Sequence, residues 1–356
     1  MQPLQSAATE LDRQATICNA CRYCEGFCSA FGAMHRQREF SVFDLVQMAN
    51  LCHNCRSCYY ACQYTAPHEF NLNLPLALDT LRQHTWREYA YPSGLSEYYR
   101  RHAVAVTIVS SVVLSLLFWL MMNPPGGENF YSALSHNLLV ALFTPAFVLP
   151  LFGVFAGLRR YWRDVGGQKI TISQTRRALT EASQLKNLKG GHGEGCNFED
   201  DDRYTRARLW AHHLCMYGFL LCFAATSMAT VMHYMLAMPA PYPVFSPPKL
   251  AGTIGGVMLI VGCTAMLWLK YRADRALSES AVFASEVAFI ASLGWVSLSG
   301  LMLYALGRSE WMRPMLALHL GAVMTFFLAL PYSKMVHGFF RLAALLREAQ
   351  LSEGSK

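Results

Sequence analysis

Charged side chains are scarce in this sequence. Of its 356 residues, 15% are charged and 53% are hydrophobic, whereas an ordinary soluble protein has a charged share of about a quarter. The mixed, cysteine-rich part of the chain ends near Arg101, and long uncharged stretches follow. This composition argues against a wholly soluble protein and predicts a polar head followed by a membrane body.

The sequence also lacks a secretory signal peptide and a basic motif for recognising nucleic acid. The first residues, MQPLQSAATELDRQ, contain neither a basic start nor an apolar run, so they do not resemble a secretory signal peptide. We therefore expect the head on the reducing, cytoplasmic side, where thiols stay free to bind metal. No basic recognition motif accompanies the net charge of +7, so nucleic acid is not expected as a partner.

Six stretches are apolar and long enough to cross a bilayer, which takes about 20 residues as a helix. Backbone groups in lipid must form hydrogen bonds within their own segment, so the spans are predicted to be helices. They are Val104–Met122, Leu138–Leu158, Leu209–Leu236, Leu250–Leu269, Val282–Leu306 and Met315–Val336.

Lys and Arg residues are concentrated in the loop 159–208, in the short loop after the fourth span and in the C-terminal tail. The loops on the opposite side contain few of them. The positive-inside rule therefore predicts that both termini and the head lie in the cytoplasm. We expect a multi-pass protein of the bacterial inner membrane.

Eight of the twelve cysteines form two copies of the pattern C-x-x-C-x-x-C-x-x-x-C. Three cysteines at this spacing can bind three irons of one [4Fe–4S] cluster, and the fourth usually ligates the other cluster. The alternatives are zinc sites or disulfides, but zinc prefers two cysteine pairs separated by a longer gap. We assign Cys18, Cys21, Cys24 and Cys62 to one cluster, and Cys52, Cys55, Cys58 and Cys28 to the other.

One detail departs from the bacterial ferredoxin pattern, in which proline follows the last cysteine. Ser29 and Gln63 occupy those positions here. The segments REFSVFDLVQMANL and LNLPLALDTLRQ have apolar residues at helical spacing. They indicate a helical head rather than a compact β-type ferredoxin.

Histidines in the third and sixth spans form the second candidate site. His319 and His337 are 18 residues apart, which is about five whole turns and about 27 Å of one helix. His212, His213 and His233 lie at matching depths in the third span. We predict haem b bound by His337 with His212 or His213, and a second haem b bound by His319 with His233. One haem instead of two, and histidines that are merely interfacial, are the alternatives.

Two further charged residues lie within apolar stretches. Glu286 and Lys334 are candidates for pairing with a haem propionate or for moving protons at a quinone site. For Lys334 the alternative is a helix-end side chain that reaches the membrane surface. His102 and His136, at the starts of the first two spans, are interpreted as interfacial.

The expected fold is all-α and has three parts. Residues 1–101 form a helical two-[4Fe–4S] ferredoxin-like head. Residues 102–340 form a six-helix transmembrane, cytochrome b-like bundle with the cytoplasmic loop 159–208, and residues 341–356 form a cytoplasmic tail.

Nearly the whole chain resembles the tricarballylate-utilisation protein B family, which is also called citrate-utilisation protein B. The most specific segments are CNACRYCEGFC, CHNCRSCYYACQYTAPHEF, GEGCNFEDDD with AHHLCMYGFLLCFAAT, and LPYSKMVHGFFR. The last segment is also similar to the haem-binding helix of the nitrate reductase gamma-subunit group.

The resemblance implies that electrons come from a reduced FAD-dependent tricarballylate dehydrogenase and pass to the quinone pool. No G-x-G-x-x-G fingerprint opens a strand–helix unit here, so the flavin is expected on a separate partner. The main alternative is a reductase with its own small-molecule or thiol substrate site. The head contains no cysteine beyond its eight predicted ligands, which disfavours that alternative.

Overall fold

The computed structural model describes residues 2–124, 130–190, 195–196 and 204–354. Within these ranges the chain forms fourteen α-helices and, apart from one isolated bridge between Cys196 and Thr205, no β-pairing. The helices are α1 Gln2–Cys21, α2 Ser29–Met34, α3 Val42–Leu51, α4 Ser57–Tyr60, α5 Leu74–Tyr89, α6 Ser93–Leu120, α7 Phe130–Ala133, α8 His136–Asp164, α9 Ile172–Ser183, α10 Ala207–Tyr234, α11 Pro247–Arg272, α12 Ser280–Leu306, α13 Met312–Ala329 and α14 Val336–Gly354. The predicted all-α fold is confirmed.

Six of these helices are long and apolar enough to cross a membrane: α6, α8, α10, α11, α12 and α13. The expectation of a multi-pass membrane protein is confirmed to that extent. α10 packs closely along α11, because glycines at their crossing leave no room for a side chain. A Cβ atom on Gly255 would lie 2.7 Å from the carbonyl oxygen of Gly218. Of the six helices, α10 is the least buried within the protein and α13 the most.

The sixth predicted span was wrong in one respect. α13 ends at Ala329 and α14 begins at Val336, so His319 and His337 do not lie on one continuous helix. Pro331 lies in the break, where it has no N–H to donate to the preceding turn. The chain continues through tight turns, in which the Tyr332 N–H donates to the Ala329 carbonyl at 3.0 Å. The five-turn alignment of the two histidines therefore does not apply.

The head consists of α1 to α5, and its core extends beyond the head. Two of its helices begin at capping side chains: Ser41 forms a capping box with Asp44 at α3, and Asn73 caps α5. Their apolar faces share one cluster with Tyr161 of α8 and with Ala344 of α14. The segment 341–354, assigned to a tail, thus packs as part of α14 against the head.

Candidate functional site

The first cavity of the head has a volume of about 270 Å³, and its wall includes Cys18, Cys21, Cys24 and Cys62. Cys18 and Cys21 lie three residues apart on the last turn of α1, so their side chains share one face of that helix. α1 ends at Arg22, whose φ of 57° reverses the chain while its N–H donates to the Cys18 carbonyl at 2.8 Å.

The second cavity is much smaller, about 20 Å³, and its wall includes Cys28, Cys52, Cys55 and Cys58. Cys28 directly precedes α2, and Cys52 directly follows α3. Positive φ angles at Asn54 and Arg56 give this loop its tight curvature. The two cavities therefore group the cysteines as their spacing predicts, with the fourth cysteine of each run crossing to the other group. Cys58 also lines the first cavity.

The chemistry of the cysteines suits cluster binding. None of the twelve cysteines forms a disulfide. Backbone N–H groups point at two of the sulfurs, from Asn54 to Cys52 at 3.3 Å and from Tyr64 to Cys62 at 3.4 Å. Such hydrogen bonds tune the potential of a bound cluster.

Burial favours the protonated form of three of the eight thiols, Cys18, Cys24 and Cys28. Burial and, to a lesser extent, the neighbouring thiols raise the pKa of Cys18 and of Cys24 to about 12. The same causes raise the pKa of Cys28 to about 12. Thiolate binding to a cluster would therefore release protons from these positions.

Ser29 has a defined role at the position where the ferredoxin pattern has proline. Its N–H and its hydroxyl both donate to the side-chain oxygen of Asn187, at 3.0 and 2.9 Å. Asn187 is buried in the short 3₁₀ turn Lys186–Leu188, between α9 and α10. Proline has no N–H and no hydroxyl, so it could not make either hydrogen bond. Serine at this position therefore joins the first cysteine run to the loop between two membrane helices.

The structure brings His212 of α10 next to His337 of α14. Their ring centroids are 6.0 Å apart with planes at 80°. The Nδ1 atom of His337 contacts the Lys334 carbonyl. As a donor there, it leaves Nε2 free to bind a metal. The Nδ1 atom of His212 is buried and, among the described residues, has no hydrogen-bond partner.

His213 lies on a different side of α10. Its ring contacts Trp210 and Tyr217, and both of these side chains are exposed on the outer surface of the bundle. Successive residues of a helix differ by about 100° in direction, so only one of the two adjacent histidines can face α14. The geometry therefore favours His212, whose role as a haem ligand stays a prediction.

His53 was not among the residues singled out from the sequence. It lies between two predicted ligands in the segment Cys52–Cys55, lines the second cavity and is close enough to His212 for their charges to interact. Its Nδ1 atom contacts the Leu51 carbonyl at 3.2 Å. Its position inside the second cysteine run was the only sign of a role in the sequence. The cysteine spacing of such runs assigns no role to the residues between the cysteines.

At the other end of the bundle the histidines have different neighbours from those predicted. His233 stacks on His136 with centroids 4.3 Å apart, and His136 Nε2 contacts the Tyr234 hydroxyl at 2.8 Å. His319 instead contacts the Ser299 hydroxyl of α12 at 3.1 Å. A haem bound by His233 and His319 stays a prediction, and His136 joins the candidate residues at this end.

Glu286 of α12 is buried between two lysines. It forms ion pairs with Lys270 of α11 and with Lys334 in the turn between α13 and α14. The interpretation of Lys334 as a side chain that extends to the membrane surface was therefore wrong, since its ammonium contacts Glu286. This cluster ties three membrane elements together at their head-side ends.

Two family models match consecutive parts of the chain. Residues 98–356 match the family model of citrate utilization protein B, and residues 11–90 match the citrate utilization protein B Fer4-like domain. A citrate utilization protein B from Escherichia coli is 42% identical over 353 residues, which cover 97% of this chain and 93% of that relative. No solved structure matches the chain.

Proposed function

Because the chain belongs to the citrate utilization protein B family, we propose that it transfers electrons from a reduced FAD-dependent dehydrogenase to a membrane quinone. The bound groups would be two [4Fe–4S] clusters and b-type haem, which accept and donate single electrons. The dehydrogenase is proposed to oxidise a small tricarboxylic acid of the tricarballylate type.

One observation supports this proposal above all others. The head has two cysteine-lined cavities that share Cys58, and a facing pair of histidines lies on α10 and α14. Cys21, in the first cavity, is exposed, as an entry point for electrons from a docked partner requires. Cys58 lines both cavities, and the loop of the second cavity contains His53, beside His212.

The chain's own residues would hold and orient the cofactors. Cys18, Cys21, Cys24 and Cys62 would bind the outer cluster, and Cys52, Cys55, Cys58 and Cys28 the inner one. His212 and His337 are the proposed ligands of the inner haem. The lysine-paired Glu286 lies at the boundary between head and bundle, where a charged group could exchange protons with a quinone site.

The proposed location is the inner membrane, with the head and both termini in the cytoplasm. The distribution of Lys and Arg among the loops supports this orientation. The core that the head shares with α14 supports the placement of both ends on one side.

The first test is the composition of the detergent-solubilised protein. Acid-labile sulfide should approach about eight per chain, as two [4Fe–4S] clusters require, and dithionite reduction should produce b-type haem bands. Cys24→Ser should lower the sulfide content, whereas Cys222→Ser, a membrane cysteine outside both cavities, should leave it unchanged. A preparation that contained zinc but no sulfide would overturn the cluster assignment.

The second test addresses the partner and the acceptor. The holoprotein in vesicles is mixed with a substrate-reduced flavoprotein dehydrogenase and a quinone. We expect reduction of the haem and then of the quinone, and neither should occur when the flavoprotein is left oxidised. Haem that stays oxidised with the reduced flavoprotein would contradict the proposed direction of transfer.

A further inference from the structure

The loop that lines the second cavity is held by one arginine of the membrane helix α10 and one arginine of α14. Arg208 of α10 donates to the Asn54 carbonyl at 2.9 Å, and Arg341 of α14 donates to the Cys52 carbonyl at 2.7 Å. Both acceptors lie in the short segment 52–54, between the first two cysteines of the second run. The membrane helix α10 and the helix α14 thus bind the same loop of the head.

Each of these arginines lies one helical turn from a histidine of the inner pair. Arg208 and His212 are four residues apart on α10, and His337 and Arg341 are four residues apart on α14. Residues at this spacing share one face of a helix. The helix face that presents each imidazole therefore also presents the guanidinium that binds the cysteine loop.

We propose that Arg208 and Arg341 are positioning residues that fix the distance between the second cysteine loop and the His212–His337 pair. The inference rests on the proposed function, because it assigns these hydrogen bonds to electron transfer between the inner cluster and the inner haem. In that step one electron leaves the cluster and the haem iron gains it, so no proton or further reactant is needed. Electron tunnelling weakens steeply with distance, so a fixed separation determines the rate.

The chemistry of arginine suits this role better than that of lysine. A guanidinium is planar and permanently charged, and it presents its donors in a fixed geometry, whereas a lysine ammonium is a point charge on a flexible stem. Hydrogen bonds from charged donors are also stronger than neutral ones. The Cys52 carbonyl accepts a second hydrogen bond from within the head, because the Arg82 guanidinium donates to it at 2.7 Å. The loop is therefore bound by arginines of α10 and α14 and by an arginine of the head's own helix α5.

The experiment compares Arg208→Leu, Arg341→Leu and Arg341→Lys in the detergent-solubilised holoprotein. Arg347→Leu is the matched control, because Arg347 lies on α14 but donates to the Val165 carbonyl and not to the cysteine loop. Three quantities are measured. They are the rate of haem reduction after rapid reduction of the clusters, the magnetic relaxation of the inner cluster by the haem, and the hydrogen exchange of residues 52–57.

We expect both leucine variants to slow internal haem reduction several-fold, because a loop that is no longer held can move away from the histidine pair and each added ångström of separation weakens electron tunnelling. The relaxation effect should weaken, and exchange of residues 52–57 should speed up. Arg341→Lys should recover part of each effect, and Arg347→Leu should match the wild type. If Arg341→Leu fails to assemble, Arg341→Lys and Arg208→Leu decide the question by the same measurements.

Wild-type rates, relaxation and exchange in Arg208→Leu and Arg341→Lys would overturn the inference. An equal loss in Arg347→Leu would also overturn it, because the effect would then be a general loosening of α14. If the wild-type protein contains no haem, the proposed function fails. The positioning of the loop is then tested by hydrogen exchange alone, which needs no haem.

Discussion

Adjacent histidines on α10 differ in what they can bind. His212 faces His337, whereas His213 contacts exposed aromatic side chains on the surface of the bundle. The distinction comes entirely from the direction in which each side chain leaves the helix. Variants at positions 212 and 213 can therefore distinguish a histidine that binds haem from one that is only a polar residue at the helix end.

We predict that His212→Ala and His337→Ala each abolish the same haem signal, because an axial ligand is lost in both. His213→Ala should keep the wild-type haem content and serves as the control. The measurement is haem per chain, together with the reduced-minus-oxidised spectrum. Loss of haem in His213→Ala with retention in His212→Ala would reverse the assignment.

The site could be predicted from the sequence only where it depends on local spacing. The two-residue gaps keep three cysteines of each run close together whatever surrounds them, and the role of all eight as cluster ligands stays a prediction. His53 and His136 were not recognised as neighbours of the other histidines, because those neighbours come from distant segments. Their contacts exist only after α10 has packed against the rest of the bundle.

At the scale of helices, the largest difference between the predicted and the observed membrane body is the break between α13 and α14. The predicted span was drawn through Pro331 because apolar residues lie on both sides of it, although a proline within a helical pattern can mark the end of a helix. The six membrane helices were nevertheless predictable, because each needs a long uncharged run. The break allows α14 to leave the direction of α13 and pack in the head, with His337 near its start.

Glu286 holds this break in place, since its two lysine partners lie on α11 and in the turn that joins α13 to α14. Removing one partner from a buried ion pair leaves an uncompensated charge, at a cost of about 3–5 kcal/mol. We predict that Glu286→Gln lowers the free energy of unfolding by an amount of this order. Thermal and denaturant unfolding in detergent would measure it. Glu310→Gln, at an exposed position between α12 and α13, is the control, and equal stability of both variants would contradict the prediction.

For the whole molecule, the shared core fixes how the ends of the chain relate to the membrane. α1 and α14 contribute to one hydrophobic cluster, so an even number of spans must separate them. We predict that reporters fused to either terminus are active only in the cytoplasm. A tag in the loop 237–246 should be reached by reagents from the other side. Labelling of intact cells and of inverted vesicles would measure this, and a terminal reporter exposed on the cell surface would refute it.

The shared core also has a consequence for the order in which the protein is made. The eight cysteines precede all six candidate membrane helices along the chain, whereas Ala344 and Leu345, which fill part of the core around them, follow the last of these helices. Because translation runs from the N-terminus, the head cannot complete its packing until the segment that follows the sixth helix has been made.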